Sequence, residues 1–176
     1  LKRARIPTVL VREPGSTPAG ERIRKLLMDT TLKLEPWCEV FLFNAARAQL
    51  VRSVIQKHLA RGKTVISDRY FHSTVAYQGA GLRLGMEKVL NVCKIATGNL
   101  QPDLLIYIDV QPTISQKRLG TLTYRLNSRG LAFYRTVRGA YKKIVKKLGK
   151  RGCIIDGSAS VKEISEKVWD RVQMIL

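Results

Sequence analysis

Acidic side chains are scarce in this chain: 13 Asp and Glu stand against 32 Lys and Arg in 176 residues, a formal net charge of +19. That balance points to an anionic partner: nucleotide, nucleic acid or acidic membrane surface. Long apolar runs are missing too. No stretch approaches the roughly 18 residues of a transmembrane helix, and the start, basic and then at once strand-like, does not read as a signal peptide. Cysteine is limited to Cys38, Cys93 and Cys153, far apart and without metal-ligand spacing. Such a set reads as buried thiols of an intracellular, cytoplasmic protein. The two histidines, His58 and His72, have no partner histidine at helical spacing, which argues against a histidine-held metal. Repeats and low-complexity linkers are absent. With 45% hydrophobic residues, the length suits one well-buried core, so a single domain over 1–176 is expected.

What is present is an alternation of short apolar strands with helices. Strands are expected at 8–11, 64–67, 103–110 and 153–156, the third apolar enough to be buried on both faces. Pro14, Gly15 and Pro18 force a loop before a helix from Ala19. Pro36 opens the longest helix, 37–61, which Gly62 stops. On it Glu39, Phe43 and Arg47 recur one turn apart on one face, and apolar residues on more than one side imply burial on two faces. Further helices are expected at 86–96, from Pro112 to about residue 119, at 131–148, and at 161–176 with Ser160 as N-cap. Residues 1–5 read as the end of a basic helix. The whole argues for an α/β fold, three layers with a mainly parallel sheet covered on both sides. The lysines of 141–152 fit either a solvated helix face or a polyanion contact.

The most informative stretch is VISDRYFHSTVAYQGAG at 65–81. A strand delivers Asp68, Arg69 and Tyr70 at its carboxyl end, where ligands bind in open α/β sheets. A carboxylate and a guanidinium there can serve a metal and a phosphate together. Taken alone, the pair reads first as an ion pair that closes a strand.

Six ordered motifs decide between these: REPG at 12–15, GERIR at 20–24, FLFNAARAQ at 41–49, DRYFHSTVAYQGAG at 68–81, PDLLIYIDV at 102–110 and FYRTVRGAY at 133–141. In order and spacing they resemble thymidylate kinases of the bacterial type. The resemblance implies the P-loop nucleoside-monophosphate-kinase architecture and phosphoryl transfer from ATP to dTMP, giving dTDP, with Mg²⁺. It implies that Phe43 stacks on thymine, that Arg47 and Gln78 bond its polar edge, and that Thr74 lies beside it. Tyr77 would crowd a ribose 2′-hydroxyl, and Glu13 and Pro14 would line the sugar. Arg24 and Arg69 would hold the monophosphate, Ser73 belongs with the substrate-binding set, and Asp68 would organise Mg²⁺ through water. Asp68, Arg69 and Arg125 are the implied catalytic set, with Arg125 in a lid segment at 119–130. Asp156 and Ser158 fall on the adenine side. The family also forms homodimers through the counterpart of helix 37–61.

The chain departs from the family pattern at three points. No glycine-rich phosphate loop ending in Lys-Ser/Thr occurs, so the first strand, that loop and most of the first helix are expected upstream, and the chain as given is expected to lack appreciable kinase activity. The lid reads Tyr124-Arg125-Leu126-Asn127, without the family's flanking acids. Ser16 stands where a second glycine is usual, tolerable unless the backbone needs positive φ. Two alternatives stay open: an inactive or fragmentary nucleotide-binding relative, and a basic nucleic-acid-binding protein, although nucleic acid is not expected as the primary partner.

Overall fold

Thr8–Arg12 (β1) and Thr64–Asp68 (β2) pair in parallel, Thr8 opposite Thr64 and Arg12 opposite Asp68. The computed structural model describes residues 4–119 and 129–176. Arg125 and most of the expected lid segment lie outside the described residues, as do the first three residues of the basic helix end expected at 1–5. The described chain divides into two compact units, one up to Leu100 and one from Gln101 onward.

In the first unit, β1 runs into Pro18–Met28 (α1). Thr17 caps α1 through a hydrogen bond that Gly20 N donates to Thr17 Oγ1 at 2.9 Å, and Pro18 presets the first turn. Thr17→Ala leaves that buried amide unpaired and is expected to cost about 1 kcal/mol, read as a lower urea midpoint at unchanged slope. Pro36–Leu50 (α2) continues through a π-helical turn at Val51–Ile55 into Gln56–Leu59 (α3). Val11, Leu50, Val51 and Ile55 form a buried cluster, with Val9, Val54, Val65, Tyr70 and Leu100 packed against it. Each fully buried aliphatic there contributes about 1.5–3 kcal/mol relative to exposure.

After β2, Phe71–Thr74 (α4) leads directly into a π-helical segment at Val75–Gly81. No element is expected there from the sequence, because the glycine cluster reads as loop. Its glycines serve packing instead. A side chain on Gly79 would come within 3.0 Å of the Met86 Cα, so glycine lets this helix lie against Met86–Thr97 (α5).

In the second unit, Leu105–Asp109 (β3) and Gly152–Asp156 (β4) are again parallel, Asp109 opposite Asp156. Pro112–Leu119 (α6) and Leu131–Leu148 (α7) lie between them in sequence; Val161–Gln173 (α8) follows. Val137, Ala140 and Val145 are the buried positions of α7, and Gly152 admits the Val145 carbonyl where a Cβ would collide with it. The lysines of α7 at 142, 143, 146 and 147 face solvent. Ser160 caps α8 as expected, in a reciprocal box with Glu163.

Two expectations need correction. The strands are not buried on both faces among the described residues: Leu10 is 73% exposed, and Ile66, Ile108 and Ile154 are also exposed. Helices cover one side of each pair, and the alternating side chains of the other side face solvent. Nor are all three thiols buried. Cys93 is buried, Cys153 half-buried and Cys38 exposed, because position 38 lies off the buried stripe of α2. That stripe is one broad arc, and Phe41 on the other side is 58% exposed.

Candidate functional site

The parallel pairing of β1 and β2 brings two loops to one edge. Glu13 N donates to Asp68 O at 3.0 Å, so residues 13–17 and Arg69-Tyr70 leave the sheet side by side. The first loop has Gly15 at φ 141 and Ser16 at φ 61. The serine departure therefore falls where the backbone does need positive φ, a conformation that costs a non-glycine residue on the order of 1 kcal/mol or more. Three bonds hold it: Arg12 N donates to Ser16 Oγ at 2.8 Å, Ser16 N to Glu21 Oε1 at 2.9 Å, and Arg12 Nη2 to the same carboxylate oxygen at 3.1 Å. Ser16 binds its own loop in a way glycine could not. Arg24, on α1, expected to hold the monophosphate, donates from Nη1 to Pro14 O at 3.1 Å.

Arg47 is the centre of the unit's polar frame and only 2% exposed. Its Nε donates to Glu13 Oε2 at 2.8 Å, with Glu13 itself 4% exposed. Nη1 donates to Asn44 Oδ1 at 2.9 Å and to Cys93 Sγ at 3.9 Å, and Nη2 to Thr74 Oγ1 at 3.1 Å. A guanidinium has five N–H groups. Among the described residues, these contacts leave one of them, on Nη2, for a ligand. Burial pushes the Glu13 carboxyl above its ordinary value, while the charge and hydrogen bond of Arg47 pull it back. Glu13 Oε1 is buried without a partner among the described residues.

One turn before Phe43, Glu39 accepts a hydrogen bond from Gln78 Nε2 at 2.9 Å. Phe43 thus sits at the helix position between two rungs, Glu39–Gln78 and Arg47–Thr74, that join α2 to helix 71–81. Arg69 adopts φ 70, a strained position of the kind that clusters at functional sites. Its guanidinium lies 5.5 Å from the centroid of the Tyr77 ring. Asp68 is exposed at the strand end. Ser73 N donates to Tyr70 O at 2.9 Å in the first turn of α4. His72 is buried and stacked on Phe71 at 3.9 Å, with Nδ1 unpartnered among the described residues. Burial holds it neutral, pulling its pKa down to about 4.

The second unit has its own polar centre at the end of β3. Arg138 grips Asp109 bidentately, Nε to Oδ1 at 2.6 Å and Nη2 to Oδ2 at 2.8 Å, and Lys142 Nζ adds an ion pair at 3.0 Å. The Arg138 bonds, then Lys142, hold the carboxyl at about 2. Next to it a cavity of about 460 Å³ is lined by Asp109, Gln111, Ile114, Arg138, Ile154, Asp156 and Ser158. Asp156 and Ser158, both expected on the cofactor side, meet here: Asp156 Oδ1 accepts from Ser158 N at 2.9 Å and from its Oγ at 2.7 Å. Arg118 Nη1 donates to Gly157 O at 2.9 Å, and a side chain on Gly157 would strike Val110. Sequence reasoning assigns no role to Glu39, Asn44, Arg118 or Arg138. Asp109 carries a legible signal, a carboxylate at a strand end, but its partner lies 29 residues away.

Among the described residues no cluster of three or more His, Cys, Asp and Glu could hold a metal, and no helix is long and apolar enough to cross a membrane. A single exposed carboxylate nonetheless suits Mg²⁺, which keeps waters and substrate oxygens and needs no protein cage. Asp68 supplies such an oxygen.

Comparison with known proteins gives these geometries a context. A thymidylate kinase family model matches residues 1–168. The thymidylate kinase of Fervidobacterium nodosum is 41% identical over 169 residues, covering 96% of this chain and 84% of that protein. Its counterpart in Kosmotoga olearia is 39% identical over 170 residues, 96% of this chain and 82% of its own. That of Caldanaerobacter subterraneus subsp. tengcongensis is 37% identical over 177 residues, 100% and 85%. With a match along nearly the whole chain and parallel strands joined through helices, the chain belongs to the thymidylate kinase family.

Proposed function

We propose that this chain carries the dTMP site of an enzyme that, with ATP and Mg²⁺, converts dTMP to dTDP. A dTMP phosphate oxygen bonds to the γ-phosphorus, the bond to the β–γ bridging oxygen breaks, and ADP leaves with its electrons. Such a reaction asks the protein for positioning and charge neutralisation. The observation that carries the reading is the frame around position 43: a phenylalanine one helical turn from Arg47, a buried guanidinium with one N–H left over among the described residues, and one turn from Glu39, which holds the buried amide of Gln78. That suits a planar base with carbonyl and N–H groups on its edge.

On this reading Phe43 stacks on thymine, Arg47 bonds a ring carbonyl, Gln78 and Thr74 complete the polar edge, and Tyr77 stands against a 2′-hydroxyl. Glu13 and Pro14 flank the sugar; Ser73, Arg24 and Arg69 serve the monophosphate side, and Asp68 holds Mg²⁺ through water. Arg125 brings a guanidinium to the transferring phosphate. The cavity at Asp156 and Ser158, mostly polar but with Ile114 and Ile154 in its lining, suits the adenine side of ATP. The exposed Phe41, with the Trp37 ring 6.0 Å away, supports a homodimer through α2, and three unpaired thiols support a cytoplasmic location.

Calorimetric titration with dTMP, ATP absent and UMP as control, tests the base site. Selective dTMP binding is expected; a preference for UMP or AMP, or no binding by a folded chain, overturns the reading. A second reading, polyanion binding, is favoured by the exposed lysines of α7. No carboxylate among the described residues pairs with Lys143, Lys146 or Lys147. Affinity carried by many phosphate contacts falls steeply with salt, whereas dTMP affinity is expected to fall much less.

A further inference from the structure

Glu39 and Gln78 are each only 1% exposed and meet at 2.9 Å, Gln78 Nε2 against Glu39 Oε2. A carboxylate oxygen accepts hydrogen bonds, and the end of the Gln78 amide that faces Glu39 is the donor, its NH₂. Its carbonyl oxygen is consequently turned off Glu39, to the other side of the planar group.

The place of this pair gives that orientation a meaning. Glu39, Phe43 and Arg47 follow one another at one-turn intervals along α2, while Thr74 and Gln78 do the same on helix 71–81. On the dTMP reading, a ring lying on Phe43 would meet the remaining Arg47 N–H, a donor, at one rung and Gln78 Oε1, an acceptor, at the other. Thymine offers the complement, a C4 carbonyl beside an N3–H. Cytosine offers the reverse, an amino group beside a bare N3, and would set donor against donor and acceptor against acceptor. A desolvated site built for one pattern leaves its polar groups unpaired with the other, which is where large discrimination arises.

We propose that Glu39 is a positioning residue: by holding the NH₂ of Gln78 it keeps Oε1 toward the base and so sets the rejection of cytosine nucleotides. The proposal rests on the dTMP reading above and adds to it a cause of specificity in a residue that does not touch the base.

The test is the ratio of dTMP to dCMP affinity by calorimetry, in the unaltered chain and in Glu39→Gln. A glutamine at 39 keeps the shape but can donate as well as accept, so Gln78 is free to turn. In the unaltered chain dCMP is expected to bind at least ~10-fold more weakly than dTMP, and in Glu39→Gln the ratio is expected to fall by ~10-fold or more, the worth of one buried hydrogen bond. A merely structural role would lower thermal stability and leave the ratio in place. If Glu39→Gln still binds dTMP with a ratio within about twofold of the parent, one buried bond being the yardstick, the role of Glu39 is overturned and the base site survives. An unaltered chain that binds dTMP and dCMP alike overturns the proposal without any variant. Absence of dTMP binding by the folded parent overturns the functional reading, and this inference with it.

Discussion

Arg47→Met is expected to cost the chain about 3–5 kcal/mol of stability, the usual consequence of removing one partner from a buried ion pair. The pair itself need not be worth that much. Replaced by well-packed apolar groups, such pairs are often neutral; the penalty comes from what is left behind. Here that is considerable. Glu13 stays 4% exposed with both oxygens unpartnered, and Asn44 and Thr74 each lose a donor. The test is urea unfolding of Arg47→Met, Glu13→Gln and the double variant. The double variant is expected to recover part of the loss, since neutralising Glu13 removes the stranded charge and neighbouring sites couple strongly. Additive losses in the double variant would mean that Glu13 and Arg47 do not stabilise each other. The same single variant should abolish dTMP binding, because the leftover N–H goes with the guanidinium.

Acidification should produce the second large effect, through His72. Its folded pKa of about 4 lies below the ordinary 6.5, so between these values the unfolded chain takes up a proton that the folded chain refuses. Stability contributed by the neutral, buried ring is complete above pH 6.5 and is lost as pH falls toward 4, by about 3 kcal/mol in all. Glu13 works in the opposite sense, since its carboxyl is raised and a proton there favours the folded state. Asp109, held at about 2, loses its stabilising charge only at lower pH, below 3.8. Comparing the parent with His72→Leu isolates the histidine: the parent should lose about 3 kcal/mol more than the variant between pH 6.5 and 4. Parallel stability curves would show that His72 is hydrated and protonates freely in the folded chain.

Much of the fold is legible because punctuating residues stand at the element ends. Pro18, Pro36 and Pro112 open helices, Gly98 closes one in a left-handed turn, and Ser160 caps another. Helix 71–81 escapes this reading because Gly79 and Gly81 signal a loop, and only the closeness of α5 shows that Gly79 is there for contact. The face of α2 bearing Glu39, Phe43 and Arg47 follows from helical spacing alone. Its partners do not: local periodicity says nothing about a residue some 30 positions away, so Glu39–Gln78 and Asp109–Arg138 need the fold to be seen. For the same reason Arg47 reads from sequence as a ligand residue, whereas most of its N–H groups hold the protein together.

The rungs beside Phe43 also bear on how the molecule comes into being. Glu13 and Arg47 are 34 residues apart, Arg47 and Thr74 27, and Glu39 and Gln78 39. Contacts of that span form only after the chain between them has been ordered, at an entropic cost that local helices do not meet. During synthesis, amino end first, Glu39 and Arg47 are made well before Thr74 and Gln78. Both must stay hydrated until helix 71–81 arrives. The proposed base site is thus a late product of tertiary closure, and a nascent chain that ends before Gln78 does not yet contain it.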